Sequence, residues 1–253
     1  MNAGASGVAL LALAGAAIGS FLNVLAYRLP RGESLVRPRS RCPGCGVQIA
    51  AYDNVPVVSW IVLGGRCRRC HGRISPQYPL VEALTAALFA AVAVQTGMSP
   101  EVWPGLALMT LLVAVSAIDI EHRIVPNRLL VPAAAAALAL WALADPGRMP
   151  ENLIAAAAAG GFLLVAAVAY PAGMGMGDVK LAAVMGLFLG RAVAPALFVG
   201  FAAGALVGVV MMALQGAAAR KQGIPFAPFL ALGGIVGQLF GADIVDWYVD
   251  SFL

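Results

Sequence analysis

Eight stretches of this chain stay apolar for about the length a helix needs to cross a bilayer, and few water-soluble folds can absorb such a pattern. They cover roughly residues 6–27, 80–96, 102–119, 129–144, 152–170, 178–189, 194–214 and 226–241. A hydrocarbon core about 30 Å thick takes about 20 apolar residues in a spanning helix. The sixth stretch is the shortest and is bounded by glycine. Only 11% of the residues are charged, against about 25% in a soluble domain. That composition excludes a disordered chain, a fibrous repeat and a secreted disulfide mini-protein. It also argues against a nucleic-acid binder, despite the net charge of +4. The expected fold class is therefore all-α and integral to the lipid bilayer.

The placement of the cations sets an expected topology. Nine of the 16 Lys and Arg residues are arginines between Arg28 and Arg73. With an outside N-terminus, alternation puts these nine on one side with Arg123, Arg128, Lys180, Arg220 and Lys221. Only Arg148 and Arg191 are left opposite. Basic loops stay on the cytoplasmic side, so the pattern predicts eight crossings with both termini outside. The first stretch has no Lys or Arg before it, so it reads as an uncleaved helix rather than a signal peptide. Three regions follow: a first transmembrane helix (1–27), a cytoplasmic segment (28–79) and a seven-helix membrane domain (80–253).

The cytoplasmic segment holds all four cysteines, as Cys42-Pro-Gly-Cys45 and Cys67-Arg-Arg-Cys70. Two Cys-x-x-Cys knuckles at this separation are close to the pattern of a four-thiolate zinc site. The neighbouring arginines favour thiolates. A segment of about 50 residues has little core of its own, so a structural metal would staple it. Two alternatives stay open. Disulfides need an oxidising compartment, which the charge pattern does not supply. Cys67-Arg-Arg-Cys70-His71 also fits the c-type haem pattern but leaves Cys42 and Cys45 unused.

Two acids interrupt apolar stretches at matched depth. Asp119 ends the third, in Ser116-Ala-Ile-Asp119, and Asp178 opens the sixth, in Gly173-Met-Gly175-Met-Gly177-Asp178. An isolated Asp at a membrane edge is most simply a cap or a solvated group. Two at one depth on non-adjacent helices can share a single proton, one acting as base on water and the other as acid on a carbonyl oxygen. Glycines before Asp178 permit close approach of another chain.

These residues carry a family resemblance. Gly175-Met-Gly177-Asp178 is a GxGD element, and Asp119 stands before Pro126-Asn127 as in D-x₆-P-[DN]. Together with Gly19-Ser-Phe-Leu-Asn23, Tyr52-Asp53-Asn54-Val-Pro56, Tyr78-Pro79-Leu-Val-Glu82 and Ile224-Pro-Phe-Ala-Pro228, the chain resembles the type IV prepilin peptidases, integral-membrane aspartic proteases of type IV pilus and type II secretion systems. The resemblance implies a bacterial inner-membrane enzyme that cuts the basic leader from prepilins or pseudopilins on the cytoplasmic side. It implies Asp119 and Asp178 as the catalytic pair, and N-methylation of the new terminus with S-adenosylmethionine. Asn127, Met176 and Ala227 depart from the residues usual in that family.

Gly175, Gly177, Lys180 and Glu82 are further candidates for substrate contact. Lys180 can equally reach the headgroups, and Glu82 can equally favour a helix start. The resemblance raises Asp53 and Asn54, otherwise turn residues, to candidates for the methyl-donor site. Peptidase activity without methylation is one alternative. A transporter using the paired acids as an ion site is another, and a non-enzymatic scaffold of a pilus or secretion machine is a third.

Overall fold

The computed structural model describes residues 4–170, 174–216 and 224–252. Gly173 of the glycine-rich motif, and the expected cytoplasmic cations Arg220 and Lys221, lie outside the described residues. Among the described residues the regular secondary structure is helical, beside two isolated β-bridges, and seven apolar helical segments are long enough to cross a membrane by length and composition. Six of the expected stretches coincide with one long helix each. The sixth and seventh form α7 (Met176–Leu189) and α8 (Val193–Gln215), separated by a 3₁₀ turn at Gly190–Ala192, and together count as a single apolar segment. The turn falls where Gly190 adopts φ +55°, and α7 has only 14 residues. That is about 21 Å of helix, less than one hydrocarbon thickness.

The chain divides into two compact units at Met98/Ser99. The first contains α1 (Ala5–Arg28), the cysteine segment with the short α2 (Val58–Val62), and α3 (Gln77–Thr96). Thus α3, grouped by sequence with the later helices, packs against α1. Buried Gly15, Gly19 and Asn23 recur every fourth residue on one face of α1, and a Cβ on Gly19 would stand 2.7 Å from the Glu82 Cα. Small residues at this spacing let membrane helices approach closely. Asn23 adds hydrogen bonds from its Nδ2 to the carbonyls of Gly19 and Tyr78, both 3.2 Å.

The second unit contains α4 (Val102–His122), α5 (Asn127–Ala144), α6 (Met149–Ala169), α7, α8 and α9 (Ala227–Phe252). Its centre is α4, the most buried of the long helices, which packs against α5, α7 and α9. Gly233, Gly237 and Gly241 of α9 form a stripe against Ala192 and Ala196, where added Cβ atoms would clash. With the backbones this close, α7, α8 and α9 hold the start of α7 and the start of α9 near the end of α4. That end carries Asp119.

Candidate functional site

Asp119 and Asp178 are 4% and 9% exposed. Both belong to the second unit, and they lie near enough for their charges to interact. Each is placed by a helix end. Asp119 stands one turn before α4 closes at Arg123, which takes a left-handed conformation while its N–H donates to the Asp119 carbonyl at 2.9 Å. The Asp119 carboxylate then accepts the backbone N–H of Ala227 at 3.1 Å. Ala227 is the first residue of α9, so a distant acid satisfies one of that helix's free donors. Asp178 is in the first turn of α7, three residues after the N-cap Gly175. Its carboxylate lies against the Gly175 N–H, as in the reciprocal half of a capping box. The N-terminal dipoles of α9 and α7 favour the charges of Asp119 and Asp178 respectively, whereas the C-terminal end of α4, which carries Asp119, does not.

The approach of the two helices depends on Gly177. A Cβ there would meet the Val125 Cβ at 2.8 Å, so the connection from α4 to α5 rests directly on the start of α7. Lys180, one turn along, donates from Nζ to the Asn127 Oδ1 at 3.1 Å. It ties the start of α5 to α7. Asn127, Val125 and the Ala227 N–H are site contacts the sequence does not single out as such. Asn127 and Ala227 are visible there only as departures from the family pattern.

The four cysteines converge in the first unit. Their sulfurs all lie within 4.8 Å of one another, with Cys42 and Cys70 Sγ 3.7 Å apart. A tetrahedral zinc ion at about 2.3 Å from each sulfur sets them about 3.8 Å apart. The cysteines are free thiols, too widely separated for disulfides of about 2.05 Å. All four take part, where the haem pattern would use only two. The donor set therefore fits zinc.

The two knuckles are built alike. In the first, the Cys42 N–H donates to the Val47 carbonyl at 2.9 Å and Gly46 N–H to that of Cys42 at 2.8 Å. In the second, Cys67 N–H donates to Gly72 and His71 N–H to Cys67, both at 2.9 Å. Bridges Arg41–Gln48 and Arg66–Arg73 close the two loops. The signal for this internal repeat is present in the sequence as Arg41-Cys-x-x-Cys45 and Arg66-Cys-x-x-Cys70. Backbone N–H groups of Cys70 and Arg69 hold the Cys67 thiol down to about 6. At Cys70 the Gly72 N–H favours the thiolate, but hydrogen bonds shared with Cys45, Cys67 and Cys42 push the thiol up to about 11.

Glu82 and Asp53 are both engaged within the first unit. Glu82 is 8% exposed, and its Oε2 accepts the Val57 N–H at 2.7 Å. Val57 has φ +60° and ψ −50°, and Val58 N–H donates to the Pro56 carbonyl. This is a γ-turn of the strained kind, rare for a β-branched residue. The buried carboxylate pins it. Ser59 holds the same segment by donating to the Tyr52 carbonyl and accepting the Val55 N–H, both at 3.0 Å. Asp53 is held by Arg68, whose Nε and Nη2 donate to its two oxygens at 2.6 to 3.1 Å. That guanidinium keeps the Asp53 carboxyl below the usual range. Asn54 is exposed beside it.

Buried acids at helix ends of a multi-span bundle, joined in one chain to a four-thiolate knuckle pair, define a polytopic membrane protein with a carboxylate site. Residues 13–96 match the Bacterial Peptidase A24 N-terminal domain, and residues 106–212 match the Type IV leader peptidase family. The chain belongs to the type IV prepilin peptidase family, Peptidase A24. It is 48% identical over 126 residues to a prepilin leader peptidase/N-methyltransferase of Myxococcus xanthus (strain DK1622), covering 50% of this chain and 38% of the relative. The protein of the same description from Bacillus subtilis (strain 168) is 37% identical over 124 residues, covering 49% and 50%. That from Neisseria gonorrhoeae is 36% identical over 149 residues, covering 49% and 52%. The matches therefore span about half or less of these curated relatives. No solved structure matches the chain.

Proposed function

We propose that this chain is an intramembrane aspartic endopeptidase that removes the basic leader from type IV prepilins or pseudopilins at the cytoplasmic face of a bacterial inner membrane. One observation carries the reading: Asp119 and Asp178, remote in sequence, are buried in one unit within electrostatic reach of each other. Such a pair shares one proton. The ionised member takes a proton from water as the water oxygen attacks the scissile carbonyl carbon. The protonated member gives its proton to the carbonyl oxygen. Collapse of the tetrahedral adduct breaks the C–N bond, and the proton held by the first carboxyl passes to the leaving amine. No bond to the enzyme forms.

Gly175 is exposed beside Asp178, Gly177 admits Val125 against the start of α7, and Lys180 positions α5 against α7 through Asn127. The charge pattern favours eight crossings with α7 as one of them. At about 21 Å in a 30 Å core, α7 then starts about 9 Å inside the inner boundary, with Asp178 about 12 Å inside it. Substrate must reach it from the cytoplasmic leaflet. Zinc held by Cys42, Cys45, Cys67 and Cys70 supplies folding energy to its loop and no step of hydrolysis. N-methylation of the new terminus from S-adenosylmethionine is a second proposed activity. It rests on the relatives' description as N-methyltransferases, with Asp53 and Asn54 as candidate contacts for the donor.

The test is incubation of the purified membrane protein with a model prepilin, with and without S-adenosylmethionine, read by mass spectrometry. Loss of the leader is expected in both, and gain of one methyl group only with the donor. An intact prepilin, or cleavage that survives Asp119→Ala, overturns the peptidase reading.

A further inference from the structure

Alongside the last three turns of α1 the first unit encloses an open cavity of about 610 Å³. Ala17, Phe21 and Val24 form its wall on the helix, and Arg39, Ser40 and Gln48 lie on the loop opposite. From Ala17 to Arg28 the helix climbs about 16 Å. The cavity thus runs from the apolar body of a candidate span to its basic end. Its lining includes Arg28 and Arg39 and no carboxylate.

The two arginines are used differently. Arg28 donates to the carbonyls of Ser34 at 3.0 Å and Pro38 at 2.8 Å, which folds the loop back over α1. Arg39 makes no ion pair among the described residues. Next to it, Val36 is 79% exposed between Leu35 and Arg37. An exposed aliphatic tip among arginines is the signature of a segment resting at the headgroup level.

We propose that this cavity is a binding site for an anionic phospholipid. The phosphate lies against Arg39, Ser40 and Gln48, and an acyl chain runs along Ala17, Phe21 and Val24. A cationic methyl donor or a basic peptide meets like charge here. A zwitterionic headgroup brings its ammonium toward an arginine. The inference stands independently of the peptidase reading.

The full chain in detergent, mixed with phosphatidylglycerol or phosphatidylcholine of identical acyl chains, tests it by native mass spectrometry. Phosphatidylglycerol is expected to be retained at least about fivefold more, and inorganic phosphate at the same concentration should not displace it. A cation near an anionic lipid surface contributes about fivefold in affinity, so Arg39→Gln should lower retention by about that factor. Ala17→Trp, at an outward-facing position, should lower it by filling the acyl wall, with thermal melting confirming the fold. Arg37→Gln, two residues away and outside the lining, should leave retention unchanged. Equal retention of the two lipids overturns the site. So does equal loss in the Arg37 and Arg39 variants, which would mark a diffuse surface charge effect. Displacement by inorganic phosphate would mark a site for a soluble anion and overturn it as well.

Discussion

Replacing Gly177 by alanine separates the geometry of the acid pair from the stability of the bundle. The new Cβ would sit 2.8 Å from the Val125 Cβ and 3.3 Å from its Cγ2. Carbon atoms pack at about 3.5–4.0 Å, so the start of α7 and the 124–126 connection must separate by about 1 Å. Overpacking of this kind costs about 1–3 kcal/mol, while alanine in place of glycine in a helix returns about 1 kcal/mol. The net loss of stability is therefore about 0–2 kcal/mol, small enough for the bundle to remain folded. The effect on rate is larger. Asp178 is the next residue, and a 1 Å misplacement of a reacting group costs about 100-fold. Gly177→Ala should lower kcat/KM for leader cleavage by about that factor with near-normal thermal melting. Adding Val125→Gly removes the atom that is struck and should restore most of the rate. Gly161→Ala on α6, where an added Cβ meets nothing within 4 Å, should leave cleavage unchanged. Wild-type cleavage by Gly177→Ala, or a defect that Val125→Gly does not relieve, would refute the reasoning.

Other outcomes follow from the same contacts. Asp119→Asn and Asp178→Asn should each lower leader cleavage by more than about 1,000-fold in folded protein; residual activity near wild type in either variant removes the pair from the mechanism. Metal analysis of the purified protein should find one zinc per chain, and Cys→Ser at any of the four positions should lose it while cleavage persists. Glu82→Ala should destabilise the first unit by about 1–3 kcal/mol by stranding the Val57 N–H. Val57→Gly should recover part of this by removing the strained φ, a pattern that a lost substrate contact would not produce. Arg68→Gln should return the Asp53 carboxyl to its ordinary range of about 3.9 in a carboxyl ¹³C titration. Because folding depresses this group, its stabilising contribution is full above the unfolded value and fades as pH falls through the lowered one; a titration unchanged by the substitution would contradict the pairing.

The 14-residue α7 carries Asp178 in its first turn, within electrostatic reach of Asp119 at the end of α4. Helix N–H groups offset the cost of burying each carboxylate, while the charge of one acid opposes ionisation of the other. The Ala227 N–H on Asp119 and the Gly175 N–H beside Asp178 are those donors.

Chemistry that depends on local pattern was legible from the residues alone. Long apolar runs have no alternative to membrane helices, knuckle spacing brings thiolates within reach of one metal, and an acid at the edge of an apolar run must sit at a helix end. Matched depth suggested that Asp119 and Asp178 could pair, and the family blocks added their catalytic role as an expectation. What the tertiary structure alone decided is who touches whom. It set the start of α9 on Asp119, Val125 on Gly177, Asn127 on Lys180 and Glu82 under a strained Val57. It also set a turn at Gly190 between the sixth and seventh runs and joined α3 to α1. Such contacts arise where backbones approach through small residues, and hydropathy carries no record of which small-residue face meets which. The identity of each helix was therefore local, while the geometry of the site awaited the packing.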